Sequence, residues 1–405
     1  MLKSKSLALA LLLTGGALIA AAPALSADGP NPVIVKAGYK VPKNAFGQPD
    51  LSGAWTNSTL STLERAASYG DRMVMTPEEV ARAEGTRLAQ IVNGNKPTST
   101  TATLAEVNAT CDLPGFAPGA GCAYNAGFTE PGDLVMRVNG QPRASFITYP
   151  ANGRIPQRKA TAVVTTSNIV VGPAEGEERA PLGAGEAAGA GRGGRGGGAA
   201  AQPAAGAGRG GGGGGGGRGG LAGQYDNPEN RPLPERCIMS FGASTGPIMR
   251  DQLYNSNYRF VQGRDSLAIW VEMVHDTRIV RIGPNAKHRT DGIRPYYGDA
   301  IGHYEGNTLV VETTNWPQSQ QLNGSWQNLK ITERFTRVSP TRMLYQFEAE
   351  DPTFWDKPWG GEYEFAQTSG VYEYACHEGN YALEGVLAGA RAAEKAAATP
   401  ASAQR

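Results

Sequence analysis

The sequence predicts a mainly β protein in which an antiparallel meander curves into a barrel, with a few helices at its periphery. Three observations carry this. From residue 258 to 350 the chain reads as short apolar-polar runs, each closed by a turn signal, which is the spacing of sequential hairpins. Asn139-Gly140 and Glu305-Gly306-Asn307 sit between strand-like runs, and Asn-Gly is the strongest short hairpin signal. Only two stretches, one after Thr76 and one after Tyr381, have helical character.

Taken in order, the chain opens on what reads as a secretory leader, residues 1–27. Lys3 and Lys5 give a positive start, Leu7 to Leu13 and Ala17 to Ala22 are apolar, and small residues offer cleavage after Ala24 or Ala27. Gly15, Gly16 and Pro23 interrupt a span that would need roughly 20 apolar residues to cross a bilayer, so no integral membrane segment is expected once the leader is removed. The expected location is periplasmic or secreted. The chain carries 38 Lys and Arg against 37 Asp and Glu, and losing Lys3 and Lys5 leaves it near neutral, which argues against nucleic acid as a partner.

Residues 28–182 are expected to form the first part of the β domain. Pro49-Asp50-Leu51-Ser52-Gly53-Ala54-Trp55 reads as a strand start with a core tryptophan. Its Gly-x-Trp also resembles the first strand of lipocalin-like barrels, so the barrel expected is lipocalin-like or a related curved form. Thr76-Pro77-Glu78-Glu79 is a helix start: Thr76 caps, Pro77 suits the first turn, and Glu79 completes a capping box. Val80, Ala83, Leu88 and Ile91 continue the helix and Gly94 can end it. Leu134 to Val138 and Ala144 to Tyr149 read as a hairpin around Asn139-Gly140.

Residues 183–223 collapse to Gly, Ala and a few Arg, with Gly210 to Gly217 uninterrupted. Such a stretch cannot bury enough apolar surface to offset its ordering entropy, and is expected to be a disordered insertion. Gly189-Ala190-Gly191-Arg192-Gly193-Gly194 formally fits GxGxxG, but no strand precedes it and no amphipathic helix follows.

Residues 224–392 are expected to complete the β domain, leaving 393–405 as a flexible tail. Strands are expected over Tyr258 to Gln262, Leu267 to Val274 and Thr277 to Ile282. Hairpins are expected at Gly302 to Thr313 and at Lys330 to Glu350. An Ala-rich helical run follows from Tyr381 to Ala398.

In an oxidising compartment the four cysteines suggest two disulfides. Cys111 and Cys122 are close across a turn-rich loop and are paired here, which leaves Cys237 with Cys376. No CxxC occurs, so structural-zinc spacing is absent, and neither a metal nor a cofactor is expected.

Tyr372-Glu373-Tyr374-Ala375-Cys376-His377-Glu378-Gly379-Asn380 concentrates chemistry-bearing side chains in a chain with four histidines. A second cluster is Glu272, His275, Asp276 and Arg278. On a regular strand Glu272 and His275 face opposite ways, so they cooperate only if the chain bends near His275. A histidine beside carboxylates and an arginine can transfer protons on a carbonyl, hydroxyl or ester. His275, Arg278, His377, Glu272 and Glu378 are therefore the candidate catalytic residues. Arg278 would hold a carboxylate or an oxyanion. Trp355, Trp359 and Asp299 are candidate ligand-binding residues, since aromatics in a loop can stack on a sugar or an arene. The bland alternative for each cluster is an ion-pair network that ties strand ends together.

Several pieces together resemble a family of uncharacterised exported bacterial proteins. They are Pro49-Asp50-Leu51-Ser52-Gly53, Gly153-Arg154-Ile155-Pro156, Glu235-Arg236-Cys237, Glu272 to Arg278, Glu305 to Thr313, Glu333-Arg334-Phe335, Pro358-Trp359 and Ala375-Cys376-His377-Glu378-Gly379-Asn380. The resemblance covers most of the chain outside the glycine-rich insertion and implies no particular activity. The residues leave two functions open. One is an exported enzyme using general acid/base chemistry on a small organic molecule, of hydrolase, lyase or isomerase type. The other is a non-catalytic lipocalin-like binder of an apolar or aromatic ligand.

Overall fold

The computed structural model describes residues 29–94, 100–101, 103, 132–162, 225–231, 233–240, 246–251, 255–374, 376, 379 and 381–398. Twelve strands and two helices follow in chain order: β1 (Gly53–Thr56), α1 (Pro77–Gly94), β2 (Arg137–Val138), β3 (Gln141–Pro142), β4 (Ile147–Tyr149), β5 (Asn257–Gln262), β6 (Ser266–Val271), β7 (Thr277–Ile282), β8 (Asp299–Glu305), β9 (Thr308–Thr314), β10 (Lys330–Ser339), β11 (Arg342–Glu350), β12 (Trp359–Gln367) and α2 (Ala382–Ala398).

The strands from β5 to β12 neighbour one another in sequence order, and β1 closes the ring by pairing with both β5 and β12. The result is the expected closed barrel. Strand β1, from before the glycine-rich insertion, and β5 to β12, from after it, thus share one sheet. The far edge of β12 is divided: β1 takes Ala366 and Gln367, while β4 takes Gly360 and Gly361 from outside the ring.

Barrel strands alternate inward buried with outward exposed side chains, as Thr277–Ile282 does residue by residue, although the inward set there includes Arg278 and the outward set Ile279. One pairing departs from the meander: β7 and β8 run parallel, with Val280 opposite Ala300. The chain therefore crosses back between them over residues 283–298. The barrel interior is a continuous stack of rings. Phe260 meets Phe335 at 5.5 Å, Phe335 meets Tyr345 at 5.2 Å, and Tyr345 meets Tyr363 at 4.9 Å.

Outside the ring beside β12 lies a second layer that includes β4 and Arg143, with α1 reaching Asp133, Val135 and Arg137 through Arg87 and Glu84. The capping box of α1 forms as read: Thr76 Oγ1 accepts from the Glu79 amide, and Glu79 Oε2 accepts from the Thr76 amide. Val80, Ala83 and Arg87 make its buried face, and Leu88 is exposed. Positions 80, 83 and 87 share one helical face, and Arg87 keeps its charge satisfied on Asp133. Asn139 and Gly140 both adopt the left-handed backbone that their turn requires.

Two expectations are corrected. Strand β6 stops at Val271 rather than Val274, because the Val271 amide bonds to the Asp276 carbonyl and closes the hairpin there. Strand β12 has no counterpart in the sequence reading, which placed Trp359 in a loop. Among the described residues no helix is long and apolar enough to cross a membrane.

Candidate functional site

The β6–β7 hairpin, residues 272–276, is where the predicted cluster falls, and the chain does bend there. Residues Met273–His275 form a tight turn, with Val274 at φ 57° and His275 at φ 45°. A β-branched residue such as Val274 in the left-handed region is an outlier, and each non-glycine residue held there costs on the order of 1–3 kcal/mol. Side chains on every part of the turn keep it in this shape.

Glu272 is buried. Its Oε2 accepts from Asn257 Nδ2 at 2.6 Å and its Oε1 from the Tyr372 amide at 3.1 Å. Met273 and Val274 anchor the turn in the core. Asp276 accepts from the Ser240 amide at 2.7 Å and from the Tyr297 hydroxyl. Burial raises the Asp276 carboxyl above the usual range, against the pull of the Tyr297 and Ser240 bonds and of nearby His275. The Tyr297 hydroxyl is pushed up too, first by burial and then by Asp276.

His275 alone among these points to solvent. Its Nδ1 lies 3.1 Å from the Tyr374 carbonyl oxygen. A carbonyl only accepts, so Nδ1 carries the hydrogen, and in the neutral ring Nε2 is left with the lone pair. Behind the turn, the Cys237–Cys376 disulfide forms as read from the sequence, joining the segment before Ser240 to the segment after Tyr374.

Arg278 does not join this group. Alternation along β7 turns it into the barrel, where it is fully buried. There Nη1 donates to Glu333 Oε1 at 3.0 Å, Nη2 donates to Glu333 Oε2, and Nη2 also donates to Thr313 Oγ1 at 2.6 Å. Tyr345 donates to Glu333 at 2.9 Å and accepts from the Met249 amide at 3.2 Å. Burial is the largest influence and would lower the Arg278 pKa, but the Glu333 charge and hydrogen bonds, with Tyr345, together outweigh it and hold the pKa up. The anion-holding role read for Arg278 is therefore replaced by a core cross-link.

Trp355 and Trp359 are buried in the core and pack edge to face at 5.6 Å, rather than lining a loop open to a ligand. Asp299 accepts from Arg281 at 2.6 Å, from the Arg289 amide at 2.7 Å and faces His288 Nδ1 at 3.0 Å. His288 Nε2 faces Glu312 at 3.1 Å, so the ring bridges two carboxylates. Sequence reading missed His288, because only the parallel crossover brings residue 288 onto β8 and β9. His377 and Glu378 lie outside the described residues, as do Cys111 and Cys122. Among the described residues no group of three or more His, Cys, Asp or Glu is placed to hold a metal ion.

Comparison of the chain with protein-family models, with curated proteins and with solved structures finds no match.

Proposed function

We propose that this is an exported enzyme that moves a proton on a small organic molecule, with His275 as the group that takes it. The observation that carries the reading is the His275 ring itself: solvent-facing, on a strained turn held from every side, with Nδ1 fixed by the Tyr374 carbonyl. Strain of this kind persists where the surroundings over-determine it, and it clusters at working sites. An outward Nε2 suits a general base for a hydroxyl, a water or an acidic C–H. The proton it gains leaves an imidazolium whose Nδ1–H still points at a carbonyl dipole. Glu272 and Asp276 are positioning residues: their carboxylates hold the turn and do not face solvent. His377 and Glu378 follow Cys376 directly in the chain and remain in the reading as further acid/base groups.

A non-catalytic binder is the second reading, favoured by the closed barrel. The ring stack that fills the interior speaks against a ligand there.

The test is to replace His275 and His377 singly with Gln and to assay turnover of small esters, glycosides and aromatic acids alongside melting temperature. For His275→Gln the expected result is a melting temperature lowered by no more than a few degrees with turnover reduced by about 100-fold or more. Full turnover in His275→Gln, or saturable binding by the wild type without turnover of any compound, overturns the enzyme reading.

A further inference from the structure

We infer that the Cys237–Cys376 disulfide is a solvent-accessible clasp on the 272–276 hairpin, and that a small dithiol opens it and so frees His275 from its fixed orientation. The inference deepens the reading of His275 as the proton-transfer group and rests on it for its functional meaning, although not for its geometry.

The clasp joins the two segments that hold the hairpin. On one side, Tyr374 and Tyr372 lie two and four residues before Cys376, and their backbones hold His275 and Glu272. On the other, Ser240 lies three residues after Cys237, and its amide holds Asp276. Neither cysteine belongs to a barrel strand, and the barrel closes through β1, β5 and β12. Opening the bridge therefore loosens both holders of the hairpin without unpairing a strand. Cys237 itself sits at φ 56°, in the left-handed region. The bridge spans 139 residues of sequence, so its rupture removes a long-range restraint.

Access favours the exchange. Cys376 is exposed and Cys237 half-buried, and a thiolate must reach a sulfur in line with the bond it breaks. One thiolate of the dithiol attacks Cys376 Sγ. A mixed disulfide forms, the Sγ–Sγ bond breaks, and Cys237 leaves as a thiolate that takes up a proton. The second thiol, deprotonated in turn, closes onto its partner sulfur and expels the Cys376 thiolate, which is also protonated. Two electrons and two protons pass from the dithiol to the cystine, and the dithiol ends as a cyclic disulfide.

The experiment uses full-length protein labelled with nitrogen-15 in a Cys111→Ser/Cys122→Ser background, so that one cystine remains to be reduced. Imidazole spectra are recorded before and after millimolar dithiothreitol, with the His275 signals assigned from His275→Gln. Before reduction His275 should show a protonated Nδ1 and an unprotonated Nε2. After reduction it should show a tautomer average, while the far-ultraviolet signature of the barrel is kept. Cys237→Ser/Cys376→Ser should give the averaged spectrum without reductant. If the background variant fails to fold, differential alkylation of the wild type, read by mass spectrometry, reports whether Cys237 and Cys376 open in the native state. A cystine that resists dithiothreitol in native buffer, an unchanged His275 spectrum after reduction, or loss of the barrel signature on reduction overturns the clasp. The two readings separate cleanly. If the tautomer is released on reduction but His275→Gln keeps its turnover, the clasp stands and the enzyme reading falls. If His275→Gln loses turnover but reduction leaves the tautomer fixed, the reverse holds.

Discussion

Arg278 and Glu333 meet as a two-point ion pair inside the barrel, with side chains 1% and 0% exposed. They lie on β7 and β10, and Thr313 and Tyr345 complete the network between them. Taking two charges out of water is costly, and the pair holds because nearly every polar contact is made. Removing one partner strands the other. Arg278→Met should therefore destabilise the protein by about 3–5 kcal/mol, while Arg278→Met/Glu333→Leu should recover most of that loss. Urea unfolding of the three proteins checks this. A single-variant cost below about 1 kcal/mol would mean that the guanidinium is not buried as described.

Two glycines sit where β12 is crowded by its neighbours, Gly360 against β11 and the Tyr149 ring, and Gly361 against the backbone leading into β4. A Cβ on Gly360 would lie 2.1 Å from the Phe347 carbonyl oxygen, and one on Gly361 would lie 2.0 Å from that of Phe146. Both obstacles are backbone, which cannot rotate aside. Gly360→Ala and Gly361→Ala should each cost about 3 kcal/mol or more, above the usual range for overpacking by one methyl group. Gly306, with open space around its Cβ position, is not the right control, because its φ of 61° strains any side chain. Gly370→Ala, with open space and no left-handed φ, should cost little. Equal costs at Gly361 and Gly370 would show that β4 does not seat on β12.

These glycines also explain what was and was not legible in the sequence. The period-two strands such as β6 and β7 announce themselves, because one face is buried and the other more exposed, while β9 and β11, largely buried on both faces, are betrayed by the turn residues at Gly306 and Pro340. Strand β12 does not: it begins Trp-Gly-Gly, and its outward Glu362 is itself buried, held by Asn31, Arg143 and Gln346. A strand covered on both faces shows no alternation, and two glycines suggest a loop. At the site, the bend near His275 and the Cys237–Cys376 bridge were readable from composition and spacing. The separation of His275 from Arg278 was not. It depends on a left-handed turn at Val274, a residue whose propensity argues against that backbone. His288 was invisible for a different reason, since its two carboxylate neighbours come from strands reached only through a parallel crossover.

The start of α1 gives a titration with a defined sign. Glu79 is held down to about 2, chiefly by Arg72, with the Thr76 amide adding and burial opposing. Its unfolded value is about 4.3. A carboxyl lowered in the fold contributes stability that is complete above the unfolded value and lost as pH falls through the folded one. The contribution should thus fade between about pH 5 and pH 2. Glu79→Gln keeps an acceptor for the capping box but loses the pair to Arg72, which is itself partly exposed. The variant should be less stable than wild type by about 1 kcal/mol or less at pH 7, and equal to it near pH 2. Unfolding curves at several pH values test this. A difference that persists undiminished at pH 2 would assign the effect to packing rather than charge.

The last prediction concerns the turn on which the functional reading depends. His275 has φ 45°, a backbone that costs a side-chain-bearing residue energy and costs glycine none. Its ring repays part of this through the Nδ1–H bond to Tyr374, a contact worth about 0.5–1.5 kcal/mol. His275→Ala keeps the strain and loses the bond, so it should be less stable than wild type. His275→Gly loses the bond and the strain together, so it should be more stable than His275→Ala by about 1 kcal/mol. That order reverses the usual one, in which Ala outranks Gly in regular structure. Both variants lack the imidazole, and both should lose the turnover ascribed to it. Chemical denaturation of the pair is the measurement. If His275→Ala proves as stable as His275→Gly, the turn is not left-handed at this position, and the outward aim of Nε2 goes with it.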